Sequence, residues 1–371
     1  MPPALFTPTQ VGAFTLKHRV VLAPLTRNRS DAKTLVPPAD LGAEYYAQRA
    51  TDGGLLISEG AFVAAEAGGI AAAPGIYSPE QVEAWRTITA AVHAKGGLIF
   101  CQLWALGRTA NPNLVPTVWG PSAGEYVANP KKPSPVKITE MTEADIDRFV
   151  AHYAHGARCA IDAGFDGVEI HGANGYIVDQ FLQPVSNTRT DKYGGSVAAR
   201  QRFGLRVLNA VCEAVGPERV GIRMSPFGIV QGMRGSFAPL DTFVPWAKAI
   251  VSAQPDLAYV HAVTPRTYGT TDMPENMIIA DDDLEPIRRV VRDAGVAFIS
   301  AGGYRPEMAV EVAEQTGDLI GFGRYFISNP DLPERIARGW PLNDYDRKTF
   351  YTPGPKGYID YPTHKESSAR L

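Results

Sequence analysis

Three polar side chains, His171, Asn174 and Tyr176, stand close together in the run His171-Gly172-Ala173-Asn174-Gly175-Tyr176. An imidazole and a carboxamide can each donate a hydrogen bond to one oxygen, and a phenol can hand over a proton. On an ideal helix His171 and Asn174 share a face, whereas Tyr176 points elsewhere. For one ligand to meet all three, the chain must leave a strand and bend before a helix begins, and Gly172 and Gly175 permit that bend. The preceding Gly167-Val168-Glu169-Ile170 reads as the end of a buried strand. A lone histidine is more often part of a satisfied turn than of a site. Three convergent donors directly after a strand favour a site of the kind that barrels build at the C-terminal ends of their strands.

The elements that would position this stretch alternate along the whole chain. Short apolar strands are predicted at 20–23, 54–58, 98–103, 167–170, 220–224, 257–261, 297–300 and 318–321, each nearly continuously apolar as buried parallel strands are. Helices are predicted between them at 38–50, 78–94, 143–163, 197–215, 241–252, 284–294 and 306–315, with a last one at 330–337. Residues 5–17 read as a hairpin that could plug the bottom of a barrel. The Pro-rich stretch 110–139 has little helical periodicity, and a loop of that length is usually a lid or a pocket wall. The pattern predicts an α/β fold, a (β/α)8 TIM barrel with an N-terminal hairpin at its bottom and long βα loops, over 1–371 as a single domain. A doubly wound sheet is the alternative, weakened because no GxGxxG follows the first strand.

Composition narrows the function. The 371 residues carry a net charge of -3, with 45% hydrophobic and 20% charged residues, so nothing points to nucleic acid or an anionic membrane as partner. Cys101, Cys159 and Cys212 form no CxxC and no metal-like cluster, so no metal is expected, and their odd count fits a reducing compartment. No apolar run is long enough to span a bilayer, and no signal peptide is visible; a soluble cytoplasmic protein is expected.

Polar groups gather just past the other strands. They are Thr26 after the first, Gly60 after the second, Gln102 and Trp104 at the end of the third, and Arg223 within the fifth. Gly302 and Gly303 follow the seventh strand, and Gly323 and Arg324 the eighth, where barrels commonly bind phosphate on bare backbone N–H groups. Either glycine pair alone could be a plain turn; both together favour a phosphate-bearing ligand, with the Arg324 guanidinium suited to it. Arg223 in an apolar strand needs an anionic partner, either a structural carboxylate or a ligand in the barrel mouth. Gln102 offers a donor and an acceptor to a heteroaromatic edge.

With these residues in view the chain resembles the Old Yellow Enzyme family of FMN-dependent ene-reductases. The resemblance runs from Leu5 to Pro362 through Ala23-Pro24-Leu25-Thr26-Arg27, Tyr45-Tyr46-Ala47-Gln48-Arg49-Ala50, Gln102-Leu103-Trp104, the run 171–181, the run 186–196, Arg223-Met224-Ser225-Pro226, the run 323–330 and Gly357-Tyr358-Ile359-Asp360-Tyr361-Pro362. It implies FMN across the barrel mouth. Gly302, Gly303, Gly323 and Arg324 would hold the phosphate, and Gln102 and Arg223 the pyrimidine edge. Gly60 and the segment Pro24, Leu25, Thr26 would lie along the ring, with Thr26 at its O4 as in the classical branch. It also implies NADPH or NADH as hydride donor, in ping-pong turnover with an electron-poor alkene. His171 and Asn174 would hold the substrate oxygen, Tyr176 would be the proton donor, and Trp104, Tyr268 and Tyr358 would wall the pocket. Oligomeric state is open between monomer and homodimer. Ala105 stands where many members carry His, His18 where Asn is frequent, and the segment 262–274 is short, which touches substrate shape. Alternatives are a pathway-specific reductase or isomerase of an unsaturated aldehyde and, more remotely, a phosphosugar isomerase or aldolase, which would need a lysine or carboxylate at the strand ends.

Overall fold

The hairpin Thr9–Val11 (β1) and Phe14–Leu16 (β2) pairs antiparallel and buries Val11 and Leu16 against Val21, Leu55, Phe100, Tyr259 and Leu319. Its turn admits only glycine: Gly12 has φ 53°, and a Cβ there would lie 2.0 Å from the Glu218 carbonyl oxygen. The hairpin thus closes the N-terminal end of the sheet and leaves the opposite end free. The structure is a computed structural model, and it describes residues 2–127, 134–235, 237–269, 271–279 and 282–368.

The strands then follow as Val20–Leu22 (β3), Leu55–Phe62 (β4), Leu98–Trp104 (β5), Trp119–Gly120 (β6), Gly124–Tyr126 (β7), Val136–Glu140 (β8), Gly167–Gly172 (β9), Val220–Met224 (β10), Tyr259–Val263 (β11), Thr267–Tyr268 (β12), Thr271–Asp272 (β13), Ala297–Ala301 (β14) and Leu319–Phe322 (β15). Eight of them close in parallel in the order β3, β4, β5, β9, β10, β11, β14, β15, with β15 pairing back onto β3. The closed barrel decides against a doubly wound sheet.

Between the strands lie Ala39–Arg49 (α1), Pro79–His93 (α2), Glu143–Asp162 (α3), Ile177–Leu182 (α4), Val197–Val215 (α5), Pro239–Ala253 (α6), Glu285–Asp293 (α7) and Pro306–Thr316 (α8), and after the last strand come Arg324–Ser328 (α9) and Leu332–Arg338 (α10). Their starts follow local chemistry. Ser78 caps α2 with Gln81 in a capping box, and Thr142 caps α3 with Asp145 in another. No helix among the described residues is long and apolar enough to cross a membrane.

The structure departs from the sequence expectations where strands run on into the mouth. β4 continues to Phe62 through a register shift between Ile57 and Gly60, and β11 begins and ends later than 257–261. The stretch 110–139 is not a plain loop: β6, β7 and β8 make a three-stranded cap, with residues 128–133 of the stretch outside the described residues. Its polar, weakly periodic sequence hid strands this short. The end of the chain folds back over the mouth. Arg27 and Arg29 donate to the Phe350 carbonyl at 3.2 and 3.1 Å, and Arg49 donates to that of Tyr358 at 3.2 Å.

Candidate active site

A cavity of about 690 Å³ opens at the C-terminal ends of the barrel strands. Pro24, Leu25 and Thr26 line it from the segment after β3, Gln102 and Trp104 from β5, and Arg223 from β10. His171, Asn174 and Tyr176 line it from β9 and the turn beyond, and Gly302, Gly303, Gly323 and Arg324 line the far side. Of the residues named from the sequence, three lie elsewhere. Gly60 is covered: a Cβ there would lie 2.6 Å from the Trp104 ring and 3.3 Å from Gln102 Oε1. Tyr358 is buried, with its ring stacked flat on Tyr45 at 4.0 Å, so it braces the C-terminal segment and is no pocket wall. Tyr268 is 48% exposed and points outward from β12, while its neighbours Thr267 and Gly269 line the cavity. The aromatic wall that the sequence reading missed is Tyr345, Phe350 and Tyr351, carried in by the returning C-terminal segment. Nothing local in the sequence marked it, because a tertiary fold-back brings it there.

The donor stretch is built differently from its sequence reading. β9 runs through His171 to Gly172, so the histidine is part of the strand, in register with Arg223 on β10. The turn follows at Asn174 (φ 57°) and Gly175 (φ 79°), both left-handed. It is locked from beneath: Gly175 N donates to Asp179 Oδ2 at 2.8 Å, and Gln180 Nε2 donates to the Gly175 carbonyl at 2.7 Å. Tyr176 therefore turns back onto His171, ring centroids 4.8 Å apart and edge-on, with Trp104 edge-on at 4.9 Å. His171 and Tyr176 pack together beside Trp104, and Asn174 lines the same cavity from the turn between them.

Protonation follows from these contacts. His171 Nδ1 accepts the Ala173 N–H at 3.3 Å, which assigns the ring proton to Nε2. Burial, then the charge of Arg223, holds the imidazole well below its ordinary pKa, so it is a neutral donor. Burial pushes the Tyr176 phenol up to about 12, against a hydrogen bond from Gln231, so it keeps its proton. Gln231 is itself held in a left-handed conformation (φ 60°), and its carbonyl accepts from Arg108 Nη2 at 2.8 Å.

A second polar layer lies under the cavity. Glu169 and His261 are fully buried, with His261 Nδ1 donating to Glu169 Oε2 at 2.7 Å and Gln102 Nε2 donating to Glu169 Oε1 at 2.7 Å. Burial opposes the Glu169 charge, but His261 and Arg223 outweigh it and hold the carboxyl below its usual range. Of the two answers foreseen for Arg223, the structure shows the Glu169 charge acting on the guanidinium and, on the cavity wall, an Nε with no hydrogen-bond partner among the described residues. The charged Glu169 inside an apolar strand, with Arg223 in another, was the visible signal for this layer.

These groups fit a flavin. Gln102 spends its amide on Glu169, so its oxygen is the free acceptor for a ring N–H, and Arg223 supplies the donor for a carbonyl and an electron-rich nitrogen. Gly302 (φ 114°) and Gly303 (φ 68°) leave bare backbone, and Leu25 would lie 3.1 Å from a Cβ on Gly323. No lysine lines the cavity among the described residues, and its one carboxylate, Asp272, is paired with Arg324. The lysine or free carboxylate that an isomerase or aldolase was expected to need is therefore not found in the lining among the described residues. No group of His, Cys, Asp or Glu among the described residues is placed to hold a metal.

Fold and site together define a TIM-barrel flavin oxidoreductase. Residues 4–343 match the NADH:flavin oxidoreductase / NADH oxidase family, and the chain belongs to that family, within its Old Yellow Enzyme group. It is 44% identical over 387 residues to the flavin oxidoreductase hxnT of Emericella nidulans, covering 96% of this chain and 97% of the relative. It is 46% identical over 366 residues to the chanoclavine-I aldehyde reductase fgaOx3 of Penicillium roqueforti, covering 96% and 95%. Among solved structures it is similar to the old yellow enzyme homologue from Zymomonas mobilis, with TM-score 0.86 and 39% identity over 97% of this chain and 99% of that one.

Proposed function

We propose that the protein is an FMN-dependent ene-reductase that uses NADPH or NADH to reduce electron-poor alkenes bearing a carbonyl or nitro group. The observation that carries this reading is that His171, Asn174 and Tyr176 line one cavity together with Gln102 and Arg223. Bound in this cavity, FMN would supply hydride-transfer chemistry between the nicotinamide and the β-carbon of the alkene. Gln102 and Arg223 would hold its pyrimidine edge, where the Arg223 charge would favour an electron-rich ring. His171 Nε2–H and the Asn174 amide donate to the substrate oxygen, drawing electron density from the double bond and stabilising the enolate-like charge. Tyr176 O–H gives its proton to the α-carbon, and a phenol that keeps its proton throughout the working range is suited to that step. Trp104, against both His171 and Tyr176, keeps water from the oxygen pocket.

The purified protein should be yellow, with FMN released on denaturation. NADPH should bleach it without oxygen, and an α,β-unsaturated ketone should restore the colour as the saturated ketone forms. Protein that stays colourless after incubation with FMN would refute the proposal.

A further inference from the structure

Arg266 lies between β11 and β12 on the wall of the mouth cavity, beside the glycines after β14. A Cβ on Gly303 would lie 3.1 Å from Arg266 Cβ and 3.6 Å from its Nε. The guanidinium rests over the Tyr304 ring, 4.4 Å from its centroid, and its backbone carbonyl is pinned by Met273 N at 2.8 Å. Yet its Nε and Nη2 are buried with no hydrogen-bond partner among the described residues. Burying guanidinium N–H groups unpaired costs more than any ring contact returns, so the arrangement is complete only with an anion beside it.

Arg324 makes the contrast. Its Nη2 pairs with Asp272 Oδ1 and its Nη1 lies 3.2 Å from Tyr345 Oη. Arg266, Arg305 and Arg324 all line this end of the cavity, and of the two that flank the glycines from β11 and β15, Arg324 is already engaged and Arg266 is not. A phosphate monoester carries close to two negative charges and several acceptor oxygens, which suits two arginines and bare glycine N–H groups.

We infer that Arg266 is a phosphate-binding residue, gripping a phosphate monoester at Gly303 from the β11 side while Arg324 holds it from the β15 side. This rests on the FMN reading above, and the monoester is that of FMN. The other phosphate the protein would meet, the 2′-phosphate of NADPH, shares the same chemistry and is separated by the test.

The experiment uses the full-length chain freed of flavin, titrated with FMN and with riboflavin by quenching of flavin fluorescence. Arg266→Met should weaken FMN roughly 10- to 100-fold, the range for hydrogen bonds to a charged group, and leave riboflavin within a few-fold. Arg266→Lys keeps the charge without the fork and should lose less, which also serves if the Met variant folds poorly; unchanged riboflavin affinity certifies the fold of either. Equal losses for both flavins, or none for either, would overturn the inference. So would an NADPH-to-NADH preference that moves while the FMN-to-riboflavin ratio stays put. A wild-type chain that binds neither flavin would defeat the cofactor reading itself, a result distinct from loss of phosphate discrimination.

Discussion

Gln102 and Glu169 meet side chain to side chain beneath the cavity, Nε2 donating to Oε1 at 2.7 Å. The other carboxylate oxygen accepts from His261. Glu169 thereby fixes which way the Gln102 amide faces. Glu169→Gln supplies one acceptor where two donors need one each. Either His261 Nδ1–H is orphaned, or Gln102 flips and turns its NH2 toward the ligand. Flavin affinity should fall about tenfold to a hundredfold, the cost of one buried unpaired donor at about 1–3 kcal/mol. Fluorescence titration with FMN measures it. Unchanged affinity would mean the Gln102 orientation does not depend on Glu169.

Tyr176→Phe removes the proton donor and keeps the ring against Trp104 and His171. Stopped-flow measurement should show flavin reduction by NADPH unaltered and the alkene step slowed by about 10²- to 10⁴-fold. The phenol must be protonated to act, and its pKa lies near 12, so the Tyr176-dependent step is lost only as pH rises toward that value. The alkene step of the wild type should therefore stay level up to about pH 10. Equal slowing of both half-reactions in the variant would remove Tyr176 from the proton transfer.

The sequence made the barrel legible because eight short apolar runs separated by helix-length segments leave few other closed arrangements. The donors His171, Asn174 and Tyr176 were legible because chain neighbours share one turn. What was hidden is what the tertiary fold imports. Tyr351 and Phe350 reach the cavity only because the C-terminal segment is tied back by Arg27 and Arg29, and Tyr358, matching in motif, spends its ring on Tyr45 instead. Glu169 was visible as a charge in a strand, but its partner His261 lies 92 residues away. Arg266 reads as an ordinary loop arginine until its unpaired nitrogens are seen.

Gln231 sits against the Tyr176 phenol in a left-handed conformation that a non-glycine residue adopts at a cost of order 1–3 kcal/mol. Arg108 holds its carbonyl in place. Gln231→Ala should slow the alkene step by about tenfold, from loss of one neutral hydrogen bond that orients the phenol, with flavin reduction unchanged. Rapid mixing of the reduced protein with alkene reads this directly. If the variant matches the wild type in that step, Gln231 plays no part in positioning Tyr176.

Asp179 tests the turn that carries the donors. Its two oxygens accept from Gly175 N at 2.8 Å and Gln183 Nε2 at 2.7 Å, while Gln183 Oε1 accepts from Arg234 N at 3.1 Å and so cannot turn over freely. Asp179→Asn leaves one donor unpaired and should cost about 1–3 kcal/mol at pH 7. Burial raises the Asp179 carboxyl from 3.8 to about 6 in the folded chain. A raised folded pKa means the folded state holds the proton more tightly, so this contribution is complete below pH 3.8 and is lost as pH rises through about 6. That shift corresponds to about 3 kcal/mol. Asparagine does not titrate, so the wild type should exceed Asp179→Asn in stability by about 2.4 kcal/mol more near pH 4 than at pH 7. Urea unfolding of both proteins at the two pH values measures the difference. A gap that does not change with pH would mean that Asp179 does not titrate in this window.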